Sequence, residues 1–190
     1  DSLSLASSGY AGYNYGGGAR SGLGTGGHVS LSLDGFNASL TAASVSLDSL
    51  GTAVRNLGFA ALSGGTVSAF AASPSSPNPH GGEGLGGTTE FTINGGAATI
   101  NTLNISANGF GGQGDSYGFT TPVDGGAGTG GTASLTVNGG TSSIASLTIE
   151  ASGRGGAGSY QDSSSDLDAG NGGAGTGGNA SLTLNGGSLA

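Results

Sequence analysis

The chain has 190 residues, of which 45 are glycine, 34% hydrophobic and only 7% charged. Glycine loses the most backbone freedom on folding and brings no side chain to bury, which excludes an ordinary deep-cored globular domain. The net charge of −8, with no lysine and only Arg20, Arg55 and Arg154 as fixed cations, excludes nucleic acid and anionic membrane surfaces as partners, since both need clustered positive charge.

Two strand templates alternate along the chain. DSLSLASSG at 1 to 9 is an instance of the second, in the register of ASVSLDSLG at 43 to 51, NTLNISANG at 101 to 109 and ASLTIEASG at 145 to 153. The opening DSLSLASSGY lacks the basic and apolar regions of a signal peptide, so export, if it occurs, is expected to be encoded elsewhere. No apolar run approaches the roughly 20 residues of a membrane span, and no membrane insertion by this segment is expected. Cysteine, methionine and tryptophan are absent, leaving no disulfide framework and no thiolate metal site, as suits an exposed extracellular protein.

The first template follows a glycine-rich return. It reads GTGGHVSLSLDG at 24 to 35, GLGGTTEFTINGG at 84 to 96, GTGGTASLTVNGG at 128 to 140 and GTGGNASLTLNGG at 175 to 187. Leu135 and Val137 alternate with Ser134 and Thr136, the period-two pattern of a strand with one buried face. In the second template Leu147 and Ile149 point inward, and Thr148 and Glu150 outward. Asp34-Gly35, Asn94-Gly95, Asn138-Gly139 and Asn185-Gly186 mark a turn after each first strand. A hairpin would pair the two strands of a repeat antiparallel. A corner in a coil is preferred, because similar units recurring in one direction stack as parallel rungs that cover one another's edges, with identical polar residues in vertical ladders.

Leu33 to Ile93 spans 60 positions, Ile93 to Val137 spans 44 and Val137 to Leu184 spans 47. The extra length of the first interval is assigned to an insertion at 52 to 83. Leu47, Leu50, Val54, Leu57 and Ala61 have the spacing of a short helix that runs into it; within it TVSAFA at 66 to 71 reads as one more strand, and Pro74, Pro77 and Pro79 mark a stiff loop. Four inward aliphatics per repeat recover only part of the entropy of ordering it, so a single repeat is not expected to fold alone. The chain begins inside the second template and stops at NGGSLA, which reads as a single segment, 1 to 190, of a longer array without its caps.

GGAGTGG occurs at 125 to 131 and again at 172 to 178, and each copy contains the G-x-G-x-x-G spacing of a dinucleotide loop. Such a loop should follow a buried strand and open a helix, whereas these glycines follow polar loops and lead into strands, so no cofactor is expected. Their expected role is close approach between layers.

GGQGDSYGF at 111 to 119 approaches a calcium nonapeptide, but Asp115 lies one position early and Ser116 fills the ligand slot. Asp162, Asp166 and Asp168 lack the spacing of an EF-hand loop, and His28 and His80 lack a second ligand at motif spacing. Glu83 with Glu90, or Asp162 with Asp166, supplies the carboxylate pair of a glycosidase only if a common face brings them together, and no serine sits in a nucleophile elbow. No catalytic, cofactor-binding or metal residue is assigned and the chain is not expected to be an enzyme; calcium is the one ion kept in view. Asn37, Asn104 and Asn179 match glycosylation sequons, the last two in or beside strand templates, which makes them coincidental.

The alternation of GTGGTASLTVNGG with ASLTIEASGRGGAG resembles the glycine-rich β-strand repeats of large bacterial surface proteins, including autotransporter adhesins and filamentous-haemagglutinin-like exoproteins. The resemblance implies a parallel β-solenoid (β-helix) stalk or fibre, secreted to the cell surface and serving adhesion, biofilm or a sheath, with self-association and a host or abiotic surface as partners. The glycine-rich returns, giving degenerate repeats of about 44 to 47 residues, are longer than the haemagglutinin-type rungs. The alternative is an ice-binding or calcium-stabilised β-solenoid: Ser30/Ser32, Ser134/Thr136 and Ser181/Thr183 would form a double hydroxyl column, interrupted where Glu90 stands beside Thr92.

Overall fold

The structure is a computed structural model and describes residues 1–10, 23–52, 81–114, 122, 124–159 and 169–190. In chain order the strands are β1 (Ser2–Tyr10), β2 (Leu23–Thr25), β3 (His28–Leu33), β4 (Ser39–Thr52) and β5 (Glu83–Leu85). They continue with β6 (Thr88–Ile93), β7 (Ala97–Ser106), β8 (Gly109–Phe110), β9 (Gly128–Thr129) and β10 (Thr132–Val137). The last five are β11 (Thr141–Glu150), β12 (Gly153–Arg154), β13 (Gly175–Thr176), β14 (Asn179–Leu184) and β15 (Ser188–Leu189). No helix occurs among the described residues.

The strands form three sheets. A return sheet runs β13-β9-β5-β2 and a middle sheet β14-β10-β6-β3; a seven-stranded sheet runs β12-β8-β4-β7-β11-β15, with β1 on β4. Every pairing among them is parallel. Each pass of the chain visits the return, middle and seven-stranded sheets in that order. The register matches the sequence spacing: Leu33 pairs with Ile93, Ile93 with Val137 and Val137 with Leu184. The hairpin alternative is thereby removed, since β10 and β11 belong to different sheets.

Alternation along the strands produces the core. Phe91, Ile93, Leu135 and Val137 of the middle sheet and Val45, Leu47, Leu103 and Ile105 of the seven-stranded sheet are all fully buried. Thr89 occupies a core column between Val29 and Ala133. Its hydroxyl donates to the Ser106 carbonyl at 2.7 Å and shares a hydrogen bond with Ser49 Oγ at 2.9 Å, which removes the cost of burying it.

Three features depart from the sequence reading. Residues 97–100 and 141–144 extend the second-template strands backwards, and their inward positions are Ala98 and Ile100 in β7, against Leu103 and Ile105 further on. Asn101 and Thr102 therefore both face away from the core, and the inward alternation changes parity there. The left-handed corner residue is the second glycine of each NGG, Gly96, Gly140 and Gly187, with φ of 80°, 81° and 75°, and only in the first rung is it the glycine next to the acidic residue, Gly35 at 97°. Leu47 and Leu50, the proposed start of a helix, lie in β4, whose extended backbone rules the helix out at those positions. The assigned insertion bounds fall on strand residues, Thr52 of β4 and Glu83 of β5; residues 53–80, including Val54, Leu57, Ala61, TVSAFA and the three prolines, lie outside the described residues.

Closure of each pass depends on glycine. The outgoing end of each seven-stranded-sheet strand lies flat against the incoming return, backbone on backbone. Gly131 N donates to Ala107 O at 2.8 Å, Gly126 N to Gly112 O at 2.7 Å, Gly178 N to Ala151 O at 2.7 Å and Gly173 N to Gly156 O at 2.8 Å. The seam is also bonded in the opposite sense, as amides of the outgoing ends donate to return carbonyls, Gly112 N to Gly82 O at 2.8 Å and Gly156 N to Gly126 O at 2.9 Å. Side chains have no space in this seam: a Cβ on Gly109 would meet the Thr129 carbonyl, one on Gly128 the Arg154 carbonyl and one on Gly153 the Thr176 carbonyl.

Two substitutions test this packing. Gly128→Ala should destabilise the chain by about 3 kcal/mol, the upper end for overpacking, because both colliding groups are backbone. Gly172→Ala, where the nearest atom to the new Cβ is 3.8 Å away, should be nearly neutral; equal denaturation midpoints for the two variants would contradict the seam. Ser142, 3% exposed, has a hydroxyl with no partner and is paired in register with Ala98. Ser142→Ala should raise stability by about 1 kcal/mol in urea denaturation, by removing the desolvation cost of an unbonded hydroxyl.

Candidate functional site

The corner after each middle-sheet strand carries Asp34, Asn94, Asn138 and Asn185, one per rung. An amide is both donor and acceptor, so identical side chains stacked at strand spacing can bond in series. Asn185 Nδ2 donates to Asn138 Oδ1 at 2.8 Å, Asn138 Nδ2 to Asn94 Oδ1 at 2.7 Å and Asn94 Nδ2 to Asp34 Oδ1 at 2.6 Å. Asp34 Oδ2 accepts from Ser32 Oγ at 2.7 Å. Bonds from Asn94 and then Ser32 hold the exposed Asp34 carboxyl below its ordinary value of 3.8.

Further side-chain links join rungs at positions the sequence reading did not single out. Asn108 Oδ1 accepts from Ser152 N at 2.7 Å, Asp124 Oδ1 from Asn171 N at 2.7 Å, and Asp48 Oδ1 from Ser106 Oγ at 2.6 Å. Asn108 was legible only as the polar residue before a glycine. Its partner follows from a backbone register that side-chain pattern does not encode.

The outer face of the middle sheet presents two polar columns in register: Ser30, Glu90, Ser134 and Ser181, and beside it Ser32, Thr92, Thr136 and Thr183. The seven-stranded sheet carries a second pair, Ser2, Ser44, Thr102 and Ser146 next to Ser4, Ser46, Asn104 and Thr148, with no charged group in either column.

Among the described residues, the other sequence candidates are not gathered into one place. Glu83 lies on β5 in the return sheet and Glu90 on β6 in the middle sheet. His28 starts β3 and is exposed. Asp115, Ser116, Asp162, Asp166, Asp168, His80, Arg20 and Arg55 lie outside the described residues, and among the described residues no three His, Asp or Glu side chains cluster. Asn104 faces outward on β7, Asn179 opens β14 and Asn37 is exposed in the first corner. Both GGAGTGG copies run through the return sheet, where Gly126, Gly131, Gly173 and Gly178 make the seam bonds already described. The amides of these four glycines all donate to backbone carbonyls across the seam.

No family model matches the chain, and no curated protein or solved structure matches it.

Folding lowers the Asp34 pKa, so its stabilising contribution is complete above the ordinary 3.8 and is lost as pH falls through the lower folded-state value. Asp34→Asn should remove that acid-side loss while keeping an acceptor for Asn94. Urea midpoints from about pH 5 down to about pH 2 should fall less steeply in the variant, and identical slopes would contradict the assignment.

Proposed function

We propose that the chain is a parallel β-solenoid segment of a secreted or surface-displayed bacterial fibre or adhesin, working by rung stacking and self-association in adhesion, biofilm or a sheath. The observation that carries this reading is the uninterrupted rung-to-rung continuity: three parallel sheets and the Asp34–Asn185 ladder all propagate along one axis in matching register. A body built this way has mechanical continuity along its axis, since backbone and side-chain hydrogen bonds both run in that direction. Its outer faces are rows of small polar groups that a surface contact reads as a repeating lattice.

A second reading, binding to an ordered surface such as ice, is favoured by the two unbroken columns on the seven-stranded sheet, Ser2 to Ser146 and Ser4 to Thr148, which repeat at about 4.8 Å between rungs. On the middle sheet Glu90 breaks the same regularity.

Electron microscopy with antibody raised against residues 1–190, applied to cells that make the native protein, tests the proposal. Label along surface filaments or stalks is expected, and label confined to the cell interior would overturn it. Thermal hysteresis in the purified chain would shift the assignment to the ordered-surface reading.

A further inference from the structure

Five Asn-Gly dipeptides occur in the chain, and three of them, Asn94-Gly95, Asn108-Gly109 and Asn138-Gly139, lie in rungs with a neighbour on each side. This dipeptide carries a reaction of its own. The glycine nitrogen gives up its proton to water and attacks Cγ of the asparagine; the new C–N bond closes a succinimide ring, and the Cγ–Nδ2 bond breaks to release ammonia. Water then opens the ring at either carbonyl and leaves aspartate or isoaspartate, so one water is consumed for each ammonia released. Glycine favours the attack because no side chain obstructs it. The following residue is glycine in all three cases, so local sequence makes them equally reactive.

The fold makes them unequal. At Asn108 both reacting groups are held by one residue of the next rung: Oδ1 accepts from Ser152 N at 2.7 Å, and Gly109 N donates to Ser152 O at 2.9 Å. At Asn138 the carboxamide donates to Asn94 Oδ1 at 2.7 Å and accepts from Asn185 Nδ2 at 2.8 Å, while Gly139 N donates to Ile93 O at a longer 3.4 Å. The Asn94 carboxamide is likewise held on both sides, by Asp34 at 2.6 Å and Asn138 at 2.7 Å, but Gly95 N has no acceptor among the described residues. The corner beneath Gly95 fills 34–38 and is two residues longer than those at 94–96 and 138–140. Gly95 also has more room. The atom nearest a Cβ added there is Gly35 O at 3.5 Å, against Asn94 O at 3.0 Å for Gly139.

We propose that the fold directs self-modification to Asn94, which deamidates by cyclisation with Gly95 and thereby cuts the side-chain ladder at its link to Asp34. The carboxamide alone is restrained, so the reaction follows each local opening of the Asn94–Asp34 bond. The product cannot remake that bond. An aspartate formed at position 94 has no donor to offer, and its carboxylate meets that of Asp34, acceptor against acceptor and charge against charge. Isoaspartate also lengthens the main chain in the corner before β7. The bond between the first two rungs is lost for good, whereas Asn138 and Asn185 keep theirs.

The test holds the folded 190-residue chain at mildly alkaline pH and follows the peptides containing Asn94, Asn108 and Asn138 by mass spectrometry for conversion of amide to acid. In urea the three should convert at the same rate. In the folded chain Asn94 should convert about tenfold faster than Asn138, with Asn108 the slowest. Asp34→Ala, which frees Nδ2, should speed Asn94 by about fivefold, and Asp34→Asn, which keeps an acceptor there, should leave its rate near the original. Circular dichroism checks that each variant keeps its β-sheet. Gly95→Ala, at a site with room for the methyl group, should slow Asn94 in the folded chain and in urea alike. Asn138 or Asn108 converting as fast as Asn94 in the folded chain, or an Asn94 rate indifferent to Asp34→Ala, would overturn the proposal.

Discussion

Everything in this fold depends on two layers of backbone lying close enough to hydrogen-bond to one another. The strands of the seven-stranded sheet end in residues whose carbonyls, Ala107, Gly112, Ala151 and Gly156, accept from the incoming glycine return. Sheets that meet through side chains stand about 10 Å apart, and at that distance these bonds cannot form. Glycine at Gly109, Gly128 and Gly153 removes the side chains that would hold the layers apart. The entropy that glycine loses on folding is offset by a backbone bonded both along the sheet and across the seam.

Once the seam closes each pass, the other features follow. Passes of fixed path stack at strand spacing, so a residue type that recurs in the sequence recurs at the same place on the rung above. Aliphatics at Leu33, Ile93, Val137 and Leu184 form one core column, and the corner residues that follow them form a polar one. The aliphatic column gives non-directional burial. The amide column is directional, and a slip of one residue would break every bond in it together with the alternation of the sheet. Register is therefore specified twice, by chemistry of different kinds. The exposed Leu182 and Leu184 belong to the same logic: what makes one rung a good seat for the next also leaves an uncovered rung apolar.

Much of this architecture was legible in the sequence, and the part that was not has a physical reason. Alternation in TASLTVNGG identified both the strand and its buried face, and the intervals between Leu33, Ile93, Val137 and Leu184 are the pairing register of the middle sheet. The amide ladder followed from Asp34, Asn94, Asn138 and Asn185 holding one slot of a repeat. The change of inward parity at Asn101 and Thr102 was not legible, because a reversal inside a strand hides the pattern by which strands are recognised. The bonding of GGAGTGG was equally silent. Glycine carries no side-chain periodicity, and close approach could be expected of it without any indication of which carbonyl each amide meets. The helical spacing of Leu47 and Leu50 misled for a related reason: Ser49, between them, is itself buried, so apolar spacing alone misreports which face of β4 is inside.

Amide hydrogen exchange at the seam tests the central claim most directly. If the glycine returns are bonded layers, the amides of Gly126, Gly131, Gly173 and Gly178 exchange with protection comparable to those of Leu135 and Val137 in the core strand β10. Exchange of those four glycines at the rate of open loops, with β10 still protected, would show that the returns are tethers between strands and that the layers are held apart.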